Sequence, residues 1–168
     1  MLPVLLLLAS AVHPCPVEAA QYRLRDGSTV TARFYHVPST QDWPTGLALR
    51  IHVGKSGRSY WFLPWQGGTD DKVNLAWVRE KHTSFEGQPI REDMEYFQTD
   101  LDYRFIHSVP HAGGPAPARL FLPDLRKISW YRTAVDRRDG IPKAFFDLTS
   151  CSAPADGVRP EIEFPPVP

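Results

Sequence analysis

The sequence predicts an all-β fold, an antiparallel β-sandwich or partly open barrel of seven to nine short strands. Three observations carry that expectation. Apolar and polar residues alternate with a period of two in segment after segment, as in Leu47, Leu49, Ile51 and Val53 against Ala48, Arg50 and His52. Turn chemistry punctuates these runs, most sharply at Asp26-Gly27 and Asp139-Gly140, where both residue types accept the positive φ of a tight hairpin. No segment repeats apolar residues at helical spacing over a helical length, and no internal repeat is visible.

At 168 residues the chain suggests one domain. Residues 1–19 are expected to be a signal peptide, 20–150 the antiparallel β domain, and 151–168 a proline-rich disordered tail. Leu2 to Val12 is apolar and uncharged but too short to span a bilayer. Val17 and Ala19 give small residues at the two positions a signal peptidase reads, so cleavage is expected after Ala19. Ala20 is a neighbouring option that would put Glu18 at the outer position, and no Lys or Arg precedes the apolar run. The competing reading makes Leu5 to Leu8 a buried strand or helix of the domain. The expected address is periplasmic or secreted. Pro14 before Cys15 speaks against lipidation. Cleavage after Ala19 removes Cys15 and leaves Cys151 as the only thiol, whereas retention of Cys15 permits one Cys15–Cys151 disulfide. In either case the hydrophobic core must hold the fold.

The elements follow in order. Tyr22 and Leu24, then Val30, Ala32 and Phe34, alternate with polar neighbours on either side of Asp26-Gly27 and form a first hairpin. Pro38 to Gly46 is a loop that carries Trp43, expected exposed. Leu47 to Val53 and Arg58 to Trp65 form a second hairpin around Gly54-Lys55-Ser56-Gly57. The second arm holds Tyr60, Trp61, Phe62 and Trp65 and is apolar on both sides, which fits a strand covered on both faces. Pro64 cannot donate a ladder hydrogen bond, so this strand should end or meet an edge there.

Val73 to Arg79 is a further strand, Glu80 to Asp93 a polar loop, and Arg91 to Phe97 one helical turn or a short strand. Leu101, Tyr103, Phe105 and His107 alternate as a strand. Pro110 to Ala118 is a polyproline-like loop. In Arg119 to Arg132 the stretch Ile128 to Arg132 reads as β, although Leu122, Leu125 and Ile128 would also suit a short helix. Lys143 to Leu148 is the last strand.

Charge excludes some functions. After removal of Glu18, nineteen basic and eighteen acidic residues leave a net charge of +1. Such a chain has no field to steer nucleic acid or an anionic membrane, and stable membrane insertion of the mature chain is not expected. Metal and catalytic motifs are missing as well. His107 and His111 are separated by Pro110, which breaks a helical ligand pair, and there is no HExxH or zinc-spaced Cys pair. Asp100 and Asp102 could bind calcium weakly, although a solvated surface pair is the stronger reading. Ser56 in Gly54-Lys55-Ser56-Gly57 lacks the spacing of a nucleophile elbow, and Cys151 sits at the start of the tail, a poor place for a preorganised site. No cofactor or metal is expected, and no catalytic residue is assigned.

The remaining candidates are binding residues. Trp43 and Trp65 are aromatic platforms, and Asp70 and Asp71 could bond hydroxyl groups beside them. The expected function is a non-enzymatic interaction protein that recognises a protein partner, in an immunity-type or envelope-accessory role. The alternative is a glycan-binding module built on the exposed tryptophans, and a small hydrolase is a weaker one.

Overall fold

In the computed structural model, residues 14–26, 29–67, 72–78, 80, 92–154 and 157–165 are described. Among the described residues, ten antiparallel strands form one curled sheet, a partly open barrel with slightly more strands than expected. They are β1 (Ala20–Leu24), β2 (Val30–His36), β3 (Leu47–Val53), β4 (Arg58–Gly67) and β5 (Lys72–Val78). Then follow β6 (Glu92–Glu95), β7 (Phe97–Thr99), β8 (Phe105–Ile106), β9 (Arg119–Phe121) and β10 (Phe145–Cys151). Their order across the sheet is β6-β5-β4-β3-β2-β1-β10-β9-β7-β8.

β6 and β7 are separated only by Tyr96, yet they lie near opposite ends of that order. The sheet therefore curls until one bent segment serves both ends. Tyr96 marks the seam, and its N–H donates to the Val73 carbonyl at 3.2 Å.

Alternation sorts the side chains as period two demands. Tyr22, Phe34, Leu49, Ile51, Phe62 and Leu75 lie in one buried interior cluster. Tyr35, Ala48, Trp61, Leu63, Ala76 and Val78 belong to a second cluster on the opposite face. The second cluster is completed by Trp43 and by Ile162 of the C-terminal tail, with Val158 and Phe164 packed against it. β4 thus has both faces covered, as its composition predicted. It runs through Pro64, which pairs with Leu75 on β5, while pairing with β3 ends at Leu49–Phe62. Beyond Phe62 the strand has a ladder on one side only, and a proline is tolerated there.

Several local expectations are corrected. Residues 101–104 form a turn rather than a strand, because the Asp100 carboxylate accepts the N–H groups of Asp102 and Arg104 and closes the chain on itself. Lys127–Tyr131 is a π-helical turn rather than β structure, and Leu122, Leu125 and Ile128 point from this region into the interior cluster. The helical spacing of those three residues outweighed the strand preference of Ile128, Trp130 and Tyr131. The tail was expected to be disordered. Residues 157–165 are extended, as their prolines dictate, but they pack: Ile162 is buried and bridges Glu80, and Trp43 Nε1–H donates to the Pro165 carbonyl at 3.2 Å. Arg79 and residues 81–91, most of the polar loop, lie outside the described residues.

Cys15 and Cys151 form a disulfide with their Cα atoms 5.8 Å apart, across a sequence separation of 136 residues. It ties the segment before β1 to the end of β10.

Candidate functional site

An aromatic surface, with Phe105, Leu101 and Tyr103 exposed and Phe97, Phe121 and Phe145 half-buried, lies where the sheet ends. Phe145 on β10 faces Phe121 on β9, and Phe121 faces Phe97 on β7, in direct register. The neighbours of these residues in sequence, Phe146, Leu120 and Gln98, are buried on the other side. Alternation therefore drives one phenylalanine from each of three adjacent strands onto the outer face. Their ring centroids are 5.0 Å apart for Phe121–Phe145 and 6.3 Å for Phe97–Phe121. Phe105 on β8 extends the row, 5.6 Å from Phe97, and is 58% exposed. Close cross-strand aromatic pairs of this kind stabilise the pleated surface on which they sit.

The β7–β8 turn builds the rim. Tyr103 adopts a left-handed conformation, φ 62°, and Leu101 and Tyr103 are 77% and 49% exposed. A side chain other than glycine is costly at such a φ, so contacts must hold it. The Arg119 guanidinium lies 3.9 Å from the centroid of the Tyr103 ring, and the ring packs edge-on to Phe145. Arg119 also donates from Nη1 to the carbonyls of Asp100 and Leu101, at 2.8 and 3.0 Å, and so clamps the turn.

Charge on the rim is locked in a network. Arg25 donates to both oxygens of Asp147 at 2.9 and 2.7 Å, and to the Tyr103 hydroxyl at 3.2 Å. Arg119 Nε lies 3.3 Å from the same carboxylate. The Arg25 hydrogen bonds, with the charges of both arginines, outweigh desolvation and hold the Asp147 carboxyl below its usual range. These groups orient the aromatic surface and leave the carboxylate committed to its partners.

Beside the row, β8 is the last strand of the sheet among the described residues. A cleft of about 240 Å³ opens next to it, lined by Phe97, Gln98, Phe105, Ile106 and His107 on one side and by Lys72, Val73 and Glu95 on the other. Its position is the seam of the barrel, where the start of β5 and β8 diverge around the bent segment at Tyr96.

The residues singled out from sequence lie elsewhere. Trp43 is buried, 3% exposed, beneath the tail, because its loop folds back over the outer face. Trp65 is half-buried, and its Nε1–H donates to Asp93 Oδ1 at 3.2 Å. Its ring folds back over the strand, and a Cβ added at Gly67 would sit 2.7 Å from it, so this approach requires glycine. Asp70 and Asp71 lie outside the described residues. Trp43 and Trp65 thus do not form one platform on an open surface. Among the described residues, no three His, Cys, Asp or Glu side chains converge to hold a metal ion. No described helix is long and apolar enough to cross a membrane.

Sequence reasoning missed the phenylalanine row because its members are scattered over four segments. Two local signals pointed to it. Phe145-Phe146 and Leu120-Phe121-Leu122 are strands in which alternation must turn an aromatic outward.

Comparison of the chain with protein families, with characterised proteins and with solved structures finds no match.

Proposed function

We propose that this is an exported, non-enzymatic binding protein that recognises a protein partner through the phenylalanine row at the end of its sheet. One observation carries the reading: Phe145, Phe121, Phe97 and Phe105 line up across four strands on the outer face, beside a terminal strand with no further pairing partner among the described residues. Contiguous exposed apolar surface with a polar rim is the usual mark of an interaction site. Aromatic and arginine side chains dominate the energetics of such sites. An extended segment of the partner can add to β8 through main-chain hydrogen bonds and lay alternate apolar side chains on the row.

A protein partner fits this surface better than a glycan. Phenylalanine offers no polar handle, and the two tryptophans that would have stacked on sugar are buried beneath the tail or folded back over β4. Export is supported by the uncharged N-terminal apolar run and by the Cys15–Cys151 disulfide, a bond that persists in oxidising compartments.

The test is capture from the envelope fraction with the intact protein and with Phe105→Asp and Leu101→Asp variants. Leu101 is 77% exposed and pairs with no ring, so Leu101→Asp should keep the parental melting temperature, Phe105→Asp should lose only its contact with Phe97, and both should lose a protein that the intact chain retains. Equal capture by all three would sink the proposal.

A further inference from the structure

We infer that the segment from Arg126 to Arg138 is a docking surface for an anionic phospholipid bilayer. It uses none of the phenylalanine row, and it stands whether or not a protein partner binds there. The chain as a whole is close to neutral, but this segment is not. Residues 126–138 hold five basic side chains, Arg126, Lys127, Arg132, Arg137 and Arg138, against one acidic, Asp136. Near-neutrality removes a field that acts over the whole molecule, not one that acts within a Debye length of this loop.

The fold pins the segment at both ends and leaves its middle open. Ile128 and Ser129 are buried. The Asp139 N–H donates to the Ser129 carbonyl, and the Ser129 hydroxyl donates to the Asp139 carbonyl, each at 2.9 Å. Asp139 is fixed in turn by Arg58 and Tyr60. Between these anchors Tyr131 is 70% exposed and Val135 76%. The π-helical turn closes through the Arg132 N–H, which donates to the Lys127 carbonyl at 3.1 Å; turns of this class are frequent at functional sites. The Arg126 and Arg138 guanidinium groups lie 5.9 and 5.6 Å from the centroid of the Trp130 ring. The indole positions both cations without neutralising them. Lys127 and Arg132 share the single carboxylate of Glu92. Among the described residues neither Arg126 nor Arg138 is paired with a carboxylate, and the Arg138 Nε–H has no acceptor.

Charge complementarity selects an anion, and the exposed apolar side chains select a bilayer. The planar fork of arginine matches phosphate oxygens, and basic side chains close to an anionic leaflet are drawn to it. Tyr131 and Val135 lie within the same basic segment. A tyrosine rests at headgroup level with its hydroxyl in the wet layer, while a valine reaches the acyl boundary. A soluble polyanion would use the arginines alone and leave these two side chains without a role. The contact lies on the membrane surface and needs no spanning helix.

The experiment is co-sedimentation of the intact chain with vesicles of phosphatidylcholine and phosphatidylglycerol, and with vesicles of phosphatidylcholine alone, at low and high salt. The chain should bind the mixed vesicles, leave the neutral ones and dissociate as salt rises. Arg126→Gln should weaken binding about five-fold. A Tyr131→Ser, Val135→Ser double variant should weaken it about ten-fold, with the parental melting temperature, because both side chains are exposed. Lys55→Gln removes an exposed charge from the β3–β4 turn and should leave binding unchanged. Equal weakening by Lys55→Gln and Arg126→Gln would mean that total charge holds the vesicle, and would overturn the inference. Full binding by the double serine variant would assign the arginines to a soluble polyanion and overturn it as well. So would equal binding to neutral vesicles, or none to the mixed ones.

Discussion

Asp139 shows what a single side chain contributes to this barrel. Its carboxylate is buried and receives Arg58 at 2.8 and 2.7 Å and the Tyr60 hydroxyl at 2.8 Å. Burial alone would raise its pKa, but the hydrogen bonds and the Arg58 charge prevail and hold the group below its usual range. The folded-state pKa is therefore lower than the unfolded one. The stabilisation is fully present above the unfolded value, about 3.9, and is lost as pH falls through the folded value. Asp139→Asn should lower stability at neutral pH by about 2–4 kcal/mol, since it strands a partly buried Arg58. It should also flatten the acid limb of the stability curve, as read by urea unfolding from pH 7 to 3. A limb as steep as that of the parent chain would contradict this assignment. Tyr60, whose hydroxyl is bonded to Asp139, is pushed upward by burial and by that bond, and stays neutral throughout.

Trp61 is informative in another way. It is 2% exposed, yet its indole nitrogen has no hydrogen-bond partner among the described residues. Trp61→Ala should cost roughly 3–5 kcal/mol. Trp61→Phe sacrifices no hydrogen bond and keeps the edge contact to Tyr35, whose ring centroid is 5.4 Å away. The phenylalanine variant should lose less than the alanine variant, because it leaves the smaller cavity. Equal losses for the two, measured by denaturant titration, would contradict the reading that packing alone holds this side chain.

At the scale of elements, the tail behaves as a strap. Ile162 and Phe164 cover a sheet face that carries Trp61 and Leu63, and Pro165 accepts the Trp43 indole. A charge placed under the strap should release it. Ile162→Asp is expected to shift tryptophan emission to the red and to speed proteolysis between residues 152 and 165, with the circular dichroism of the sheet retained. Unchanged emission would mean that the cluster survives without the strap. The hairpins were legible from sequence because their signals are local: Asp26 takes φ 76° at the first turn and Gly57 takes φ 71° at the second. The 101–104 turn and the π-helical turn were not legible. The first depends on the Asp100 side chain competing with the strand ladder, and the second on three leucine and isoleucine side chains reaching the interior.

At the scale of the molecule, the Cys15–Cys151 bond closes almost the whole chain into a loop. A disulfide spanning 136 residues of sequence restricts the unfolded ensemble by roughly 4–5 kcal/mol in the chain-entropy account. A Cys15→Ser, Cys151→Ser double variant should therefore unfold at lower urea concentration than the oxidised parent and match the reduced parent. A midpoint unchanged by reduction would show that the bond adds nothing to stability.

By itself the sequence determined that this chain is an antiparallel β protein, where the β1–β2 and β3–β4 hairpins turn, and that its Arg58 to Trp65 strand is covered on both faces, whereas Asp139-Gly140 closes no hairpin. The first two are written in period-two alternation and in turn residues a few positions apart, the third in a run that is apolar on both sides. Only the tertiary structure decided what covers that strand, that Trp43 and Trp65 do not form an open platform, and that four phenylalanines from distant segments share one surface. Exposure and adjacency depend on which strands pair and in which register, and no local pattern encodes a neighbour that is dozens of residues away.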